Sequence, residues 1–398
     1  MTTPFKAIPI SKKVYWVGAI DWGLREFHGY STSRGTTYNA YLVLADRVTL
    51  IDTVKKPFEH ELMARISSVI NPSEIDYIVS NHSEMDHSGS LPSVVGKIRP
   101  ERVFASKMGV KALSAHFEST DWLESVDNEG SLSLGDMTLN FLETRMLHWP
   151  DSMVSYLEDE RVLFSQDAFG MHLATSRLFV DENEWDIVRY ETAKYYANIL
   201  LPYSQIIPKA LERITGMGWD INVIAGDHGP LWRRDISVIL DLYAHWAAQK
   251  PTNKAVIVYD TMWRSTELMA HALADGIQEG GGIPVVLPLS SVSRSDVATE
   301  ILEAGALLLG SPTINNNIFP SLADTLTYLR GLKPKNLIGA AFGSYGWSGE
   351  AQKQLENYLQ EMNVEVVADP IKVNYVPTSE DLNACRNLGI TVAEKLSS

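Results

Sequence analysis

The sequence predicts an α/β protein of two domains: an αββα sandwich over residues 1–250 and a doubly wound parallel sheet over residues 251–398. Three observations predict it. The 398 residues exceed what one hydrophobic core ordinarily organises. In the first part, short β-branched and aromatic runs alternate with helix-period segments and end in loops dense in His, Asp and Glu. In the last part, apolar runs of strand length alternate with helical patterns beyond a polar linker, Lys250-Pro251-Thr252-Asn253-Lys254.

Composition sets limits. The chain is 45% hydrophobic and 21% charged, the balance of a soluble globular protein with sizeable cores. No apolar run approaches the length of a membrane span, so no membrane association is expected. A net charge of −15 argues against nucleic acid, whose phosphates need basic patches. The first residues, Met1-Thr2-Thr3-Pro4-Phe5-Lys6, lack the pattern of a signal peptide. Cys385 is the only cysteine, which rules out an intrachain disulfide. These features together point to the cytoplasm.

In chain order, Val14-Tyr15-Trp16-Val17-Gly18 reads as a first strand, followed by a loop that carries His28. Taken alone, His28 is an ordinary loop histidine. Residues 38–44 and 48–52, separated by a short turn, read as a hairpin. Residues 58–70 carry Leu62, Ile66 and Ile70 at a spacing of four, which predicts a helix. Residues 75–81 read as a buried strand. This strand runs into His82-Ser83-Glu84-Met85-Asp86-His87, four candidate metal ligands in six residues. His82 and Glu84 alternate, so an extended backbone points them the same way. Asp86 and His87 diverge unless the chain turns there. Such a divergent set suits two metals better than one.

Beyond it, residues 102–106 read as a strand and 107–117 as a helix. Residues 132–147 and 153–164 supply more strands, with His148 on the loop between them. Asp167 ends the apolar run that begins at Arg161, and His228 ends the run that begins at Ile221. The set becomes four His and three carboxylates at strand ends. Residues 185–201 are helical in pattern and carry Tyr195 and Tyr196, which read as core or interface aromatics. Residues 240–249 read as the last helix before the linker.

Here the chain resembles the metallo-β-lactamase superfamily, with its HxHxDH run followed by a His, a bridging Asp and a last His in this order. Glu84 stands where the hydrolases of that superfamily usually carry their second His. In this it is similar to the flavodiiron proteins (A-type flavoproteins), which include rubredoxin:oxygen oxidoreductases and nitric oxide reductases. The resemblance implies one iron on His82, Glu84 and His148 and another on Asp86, His87 and His228, with Asp167 bridging. Some members leave the His that matches His87 uncoordinated. The resemblance also implies that His28 lies above the metals as a source of a proton or hydrogen bond, and that Tyr195 lines the same pocket. The chemistry agrees, since zinc favours His and Cys, whereas mixed His and carboxylate sites suit non-haem iron.

The last part has strand candidates at residues 255–259, 283–289, 306–310, 337–341 and 364–367. Doubly wound sheets bind ligands outside the carboxyl ends of their strands. The first strand runs into Thr261-Met262-Trp263-Arg264-Ser265-Thr266, hydroxyls and backbone N–H groups at a helix start that suit a phosphate. It lacks the GxxxxGK[ST] pattern. Arg264 either adds charge to the phosphate or faces solvent. The third strand ends in Ser311-Pro312-Thr313-Ile314-Asn315-Asn316-Asn317, and the fourth in Gly343-Ser344-Tyr345-Gly346-Trp347-Ser348-Gly349. Small residues let backbone approach a flat ring, and Asn can hydrogen-bond its edge. The three loops resemble those with which flavodoxins hold FMN, with Trp263 and Trp347 the aromatic candidates beside the flavin.

The family reading implies an oxidoreductase that reduces O2 to water, NO to N2O, or both, at a non-haem diiron site fed through FMN. One cysteine cannot ligate a rubredoxin iron or an iron–sulfur cluster, so electrons are expected from a separate carrier such as rubredoxin. A head-to-tail homodimer or a dimer of dimers is implied as well. The competing reading is a dizinc lactamase-like hydrolase fused to a flavodoxin-like domain. A third is an FMN electron carrier with an inert metal domain. Glu84 and the three loops disfavour the hydrolase, and the complete ligand set disfavours the carrier.

Overall fold

A computed structural model describes residues 5–397. Two compact units divide the chain. The first comprises residues 1–27, 32–195 and 206–244, and the second residues 28–31, 196–205 and 245–398. The division therefore falls at residue 245, inside the helix Ile236–Ala248, a few residues before the polar linker. Two short excursions, 28–31 and 196–205, count with the second unit.

The first unit is built on two sheets. One has seven strands in the order Ile8–Pro9, Val14–Trp16, Tyr41–Val43, Thr49–Ile51, Tyr77–Ser80, Arg102–Ser106 and Leu123–Val126. Its first half is antiparallel, and its second half, from Thr49–Ile51 onward, is parallel. The other sheet has five strands: Ser131–Ser133, Thr138–Glu143, Met153–Leu157, Val162–Gln166 and Val223–Gly226. Each of the two long stretches read as strands, 132–147 and 153–164, folds as two strands. A hydrogen-bonded turn breaks the first after Ser133 and another breaks the second after Leu157, and the resulting strands pair antiparallel.

Side-chain alternation explains the layering. Tyr41, Val43, Tyr77 and Val79 point into a core shared with Phe141, Met153, Val162 and Phe164 of the second sheet. Leu42, Leu50, Ile78 and Val103 point the other way, under Leu62, Ile66, Val94 and Ile98 of the covering helices. The two sheets thus face each other, and helices cover the outer face of the first.

In the second unit the sheet order is Ile283–Pro288, Lys254–Tyr259, Ala306–Gly310, Ile338–Tyr345, then Glu365–Val366, all parallel. This is the 2-1-3-4-5 order of a doubly wound sheet. Its central strands are nearly continuous runs of Ala, Val, Ile and Leu buried on both faces, as helices on either side require. A sixth strand, Ile371–Asn374, pairs with the far end of Ile338–Tyr345. The sequence reading had five strands. Pro370 interrupts the edge, so the fifth is split in two, and its second piece carries the chain on to Tyr375 and Val376.

Candidate metal centre and cofactor cavity

The strand Tyr77–Ser80 delivers His82 and Glu84 on extended backbone, with Glu84 at φ −60° and ψ 145°. The chain then enters the helical turn Met85–Ser88, which redirects Asp86 and His87. His148 lies in the connection between Thr138–Glu143 and Met153–Leu157. Asp167 directly follows Val162–Gln166, and His228 stands two residues past Val223–Gly226. All seven side chains are largely or fully buried.

They converge as two groups. His82, Glu84, His148 and Asp167 each offer one atom within 4.8 Å of the others, as do Asp86, His87 and His228. Asp167 joins the groups. Its Oδ2 lies 2.9 Å from His148 Nε2 and 3.3 Å from His82 Nε2, while its Oδ1 lies 3.1 Å from His87 Nε2 and 3.4 Å from His228 Nε2. Glu84 Oε2 lies 3.3 Å from His148 Nε2, and Asp86 Oδ2 lies 3.2 Å from His228 Nε2. His87 is turned inward with the rest.

A second layer holds the imidazoles. His82 Nδ1 is 3.1 Å from Asp151 Oδ2, which also accepts the Ser83 N–H at 2.7 Å. His228 Nδ1 is 2.7 Å from the Thr37 carbonyl, and His87 Nδ1 is 3.5 Å from Asp227 Oδ2. In each case the other nitrogen is left for the centre of the cluster.

Do these residues fit two cations? Both oxygens of Asp86, Oδ1 of Asp167 and both nitrogens of His87 are buried and form no well-aligned hydrogen bond with any protein group. Buried polar atoms in that condition are costly unless something coordinates them. Burial alone pushes His82 and His87 down, but the surrounding carboxylates hold both well above the ordinary imidazole value. Burial pushes Asp167 up, and the three imidazoles around it outweigh that and hold it well below the ordinary carboxylate value. The cluster attracts positive charge strongly. Four imidazoles, three carboxylates and no thiolate form a donor set suited to non-haem iron.

Two further groups border the cluster. Tyr195 is buried with its ring 5.1 Å from that of His172 and 6.1 Å from that of His228. His172, fully buried, places its ring 4.6 Å from His228 and pairs Nδ1 with Thr36 Oγ1 at 2.9 Å. Burial, and then the neighbouring His228, push His172 well below the ordinary value, so it is neutral. The sequence reading did not single out His172, Asp151 or Asp227. A histidine in the apolar run Gly170-Met171-His172-Leu173 looks like core, and only the bend after Asp167 brings it to the cluster. His28 counts with the second unit and is exposed, with a left-handed backbone at φ 53°.

In the second unit, the ends of the first, third and fourth strands enclose a cavity of about 560 Å³. Met262, Trp263, Ser265, Pro312, Thr313, Asn315, Asn316, Ser344, Tyr345, Gly346, Trp347 and Ser348 line it, together with Tyr375 and Val376, which the split edge strand supplies and the sequence reading missed. Thr261, Arg264, Thr266, Asn317 and Gly349 lie outside the lining. Arg264 is exposed and pairs with Glu267 at 2.6 Å, so it faces solvent. Asn317 is engaged within its own loop, donating to the Asn315 carbonyl at 2.9 Å. A Cβ on Gly349 would stand 3.2 Å from the Tyr345 ring.

The cavity fits FMN. Its volume is that of a ligand pocket, and Trp263 and Trp347 stand at its edge 89% and 90% exposed. The Thr261 and Thr266 hydroxyls are buried beside the start of the helix Ser265–Glu279, and neither makes a hydrogen bond. That is the environment a phosphate satisfies.

A lactamase-like metal-binding sandwich joined to a flavodoxin-like sheet defines a two-cofactor redox protein, and the comparisons agree. Residues 36–229 match the family model described as ODP family beta lactamase, and residues 257–389 match that of flavodoxin. The chain is 46% identical to the "Nitric oxide reductase" of Moorella thermoacetica, over 98% of this chain and 99% of that one. It is 45% identical to the "Rubredoxin-oxygen oxidoreductase" of Megalodesulfovibrio gigas, over 98% of both. The crystal structure of the flavodiiron protein from Giardia intestinalis superimposes with a TM-score of 0.96 at 33% identity, covering 100% of this chain and 98% of that one. The chain belongs to the flavodiiron protein family.

Proposed function

We propose that this protein reduces O2 to water, NO to N2O, or both, with electrons passed through FMN from an external carrier such as rubredoxin. The observation that carries the reading is the two-sided carboxylate of Asp167, set between the group containing Glu84 and the group containing Asp86. When bound, the two irons supply the redox-active site and FMN the one-electron relay that feeds it. The relatives' printed names support both gases and rubredoxin as donor.

In this reading His82, Glu84 and His148 hold one iron, Asp86, His87 and His228 the other, and Asp167 joins them. The chain's own groups do the rest. Asp151, Asp227 and the Thr37 carbonyl keep the imidazole nitrogens aimed. Tyr195 is held well above the ordinary phenol value by burial, and then by Asp167 and Glu84, so it keeps its proton at neutral pH and acts as a hydrogen-bond donor. Neutral His172 carries a ring proton beside it. His28 supplies a further proton from the loop.

A head-to-tail homodimer, or a dimer of dimers, is the assembly we infer; the exposed Trp263 and Trp347 at the flavin cavity favour a surface that a second copy covers. No described helix is long and apolar enough to cross a membrane. The lone cysteine and the acidic net charge support a cytoplasmic protein that does not bind nucleic acid. Anaerobic purification followed by metal, flavin and mass determination, with O2 and NO consumption under reduced rubredoxin, tests the whole reading. Iron and FMN with turnover of either gas are expected. Zinc without gas consumption would overturn it in favour of the hydrolase.

A further inference from the structure

The strands Glu26–Phe27 and Tyr30–Ser31 pair across a two-residue connection, His28-Gly29. Both connecting residues have positive φ, 53° and 81°. That is the left-handed pair of a type I′ hairpin turn, whose first position favours Asn, Asp or Gly. A histidine there is held in a conformation that a residue with a Cβ adopts reluctantly, so its surroundings must over-determine it.

Those surroundings are the start of the helix Arg294–Ile301, capped by Ser293. Arg294 Nε donates to the Gly29 carbonyl at 3.1 Å, and a Cβ on Gly29 would stand 2.5 Å from Arg294 Nη2. Ser295, fully buried, accepts the Ser31 N–H on its hydroxyl at 2.9 Å. Ser31 Oγ and Ser293 Oγ are 3.0 Å apart. Ser295 is itself fixed from the other side: its carbonyl accepts Asn198 Nδ2 at 3.2 Å, and Tyr328 donates to Asn198 Oδ1 at 2.7 Å. The turn is thus gripped just after His28, at the Gly29 carbonyl and at the amide and hydroxyl of Ser31.

We propose that Arg294 and Ser295 are positioning residues which hold the His28–Gly29 turn by its backbone and thereby fix where the His28 imidazole is presented for proton delivery. This rests on the reading of His28 given above. The flavin-binding unit then does more than carry electrons: one of its helices sets the geometry of a proton donor. Two of these contacts, at the Gly29 carbonyl and the Ser31 N–H, act on backbone atoms.

The test uses Ser295→Ala and Ser295→Thr in the full chain. First, backbone hydrogen exchange at residues 28–31 is followed without metal. S295A is expected to speed exchange of the Ser31 amide on the order of tenfold, the loss of one hydrogen bond, and S295T to restore protection. Second, turnover is measured in the loaded enzyme for S295A, His28→Ala and the double variant. S295A is expected to lower kcat on the order of tenfold with the KM for the donor and the iron and FMN contents unchanged, and to cost nothing further in the H28A background. Unchanged Ser31 exchange in S295A overturns the proposal. So does a loss that simply adds to that of H28A. If H28A alone leaves turnover intact, the catalytic reading of His28 fails and the positioning role goes with it.

Discussion

Asp151 Oδ2 lies 3.1 Å from His82 Nδ1, on the ring nitrogen opposite the one that faces Glu84 and Asp167. The same carboxylate oxygen accepts the Ser83 N–H, so one buried group fixes both the ring and the backbone beside it. Asp151→Ala is expected to weaken metal retention roughly 10–100-fold, the usual cost of losing such a supporting carboxylate. Asp151→Asn keeps an acceptor and should lose less. Metal content after dialysis against graded chelator measures both. Equal retention by Ala and wild type would refute the role.

Asp167 touches both groups, so Asp167→Ala should empty both and not one. Elemental analysis and visible absorption of the variant decide it. A protein that still holds two irons contradicts the bridge. FMN content should not change, because the second unit supplies its own binding loops.

Glu84→His restores the residue that the hydrolases of the superfamily usually carry. The donor set then has five imidazoles and two carboxylates and moves toward zinc. Growth in medium containing both metals, followed by analysis, should give a raised zinc-to-iron ratio and little gas turnover. Wild-type iron content and wild-type O2 and NO turnover would show that Glu84 does not set the metal.

Thr266→Val removes a buried hydroxyl at the start of the helix Ser265–Glu279 while keeping its shape. Losing one hydrogen bond to the phosphate costs about 1–2 kcal/mol, or roughly 5–30-fold in the FMN dissociation constant. Titration of deflavinated protein with FMN measures this, and titration with riboflavin, which has no phosphate, should not distinguish the variant.

Glu59 supplies a pH dependence away from the cluster. Burial pushes its carboxyl up, but hydrogen bonds from Lys56, Lys97 and Ser93 outweigh that and bring it from 4.5 down to about 2. The folded value is depressed, so the stabilisation is present above about pH 4.5 and is lost as pH falls toward 2. Both lysines are more than half exposed, and solvent screening limits the effect to about 1–2 kcal/mol. Urea unfolding of metal-free Glu59→Gln and wild type should differ by that amount at pH 7 and converge near pH 2–3.

Much of this protein is legible in its sequence, for physical reasons. The strands before His82, Asp167 and His228 are short apolar runs that stop at polar ligands, so the ends of strands announce themselves. The parallel sheet does so by its runs of Val, Ile and Leu. What escaped notice depends on chain bends. His172 looks like core until the turn after Asp167 is known. Tyr375 reaches the flavin cavity only because Pro370 splits the edge strand. Asp151 and Asp227 are plain in the sequence, but the hydrogen bond of the first to His82 and the proximity of the second to His87 are tertiary facts.

The Ser31 amide and the Ser295 hydroxyl that receives it are 264 residues apart. On a ribosome adding about 5–20 residues per second, the hairpin waits roughly 13–50 s for its anchor. The sandwich strands are all synthesised before Ser295 and are free to pair first. A nascent chain released after His228 but before Arg294 has all its metal ligands but not the fastening for His28.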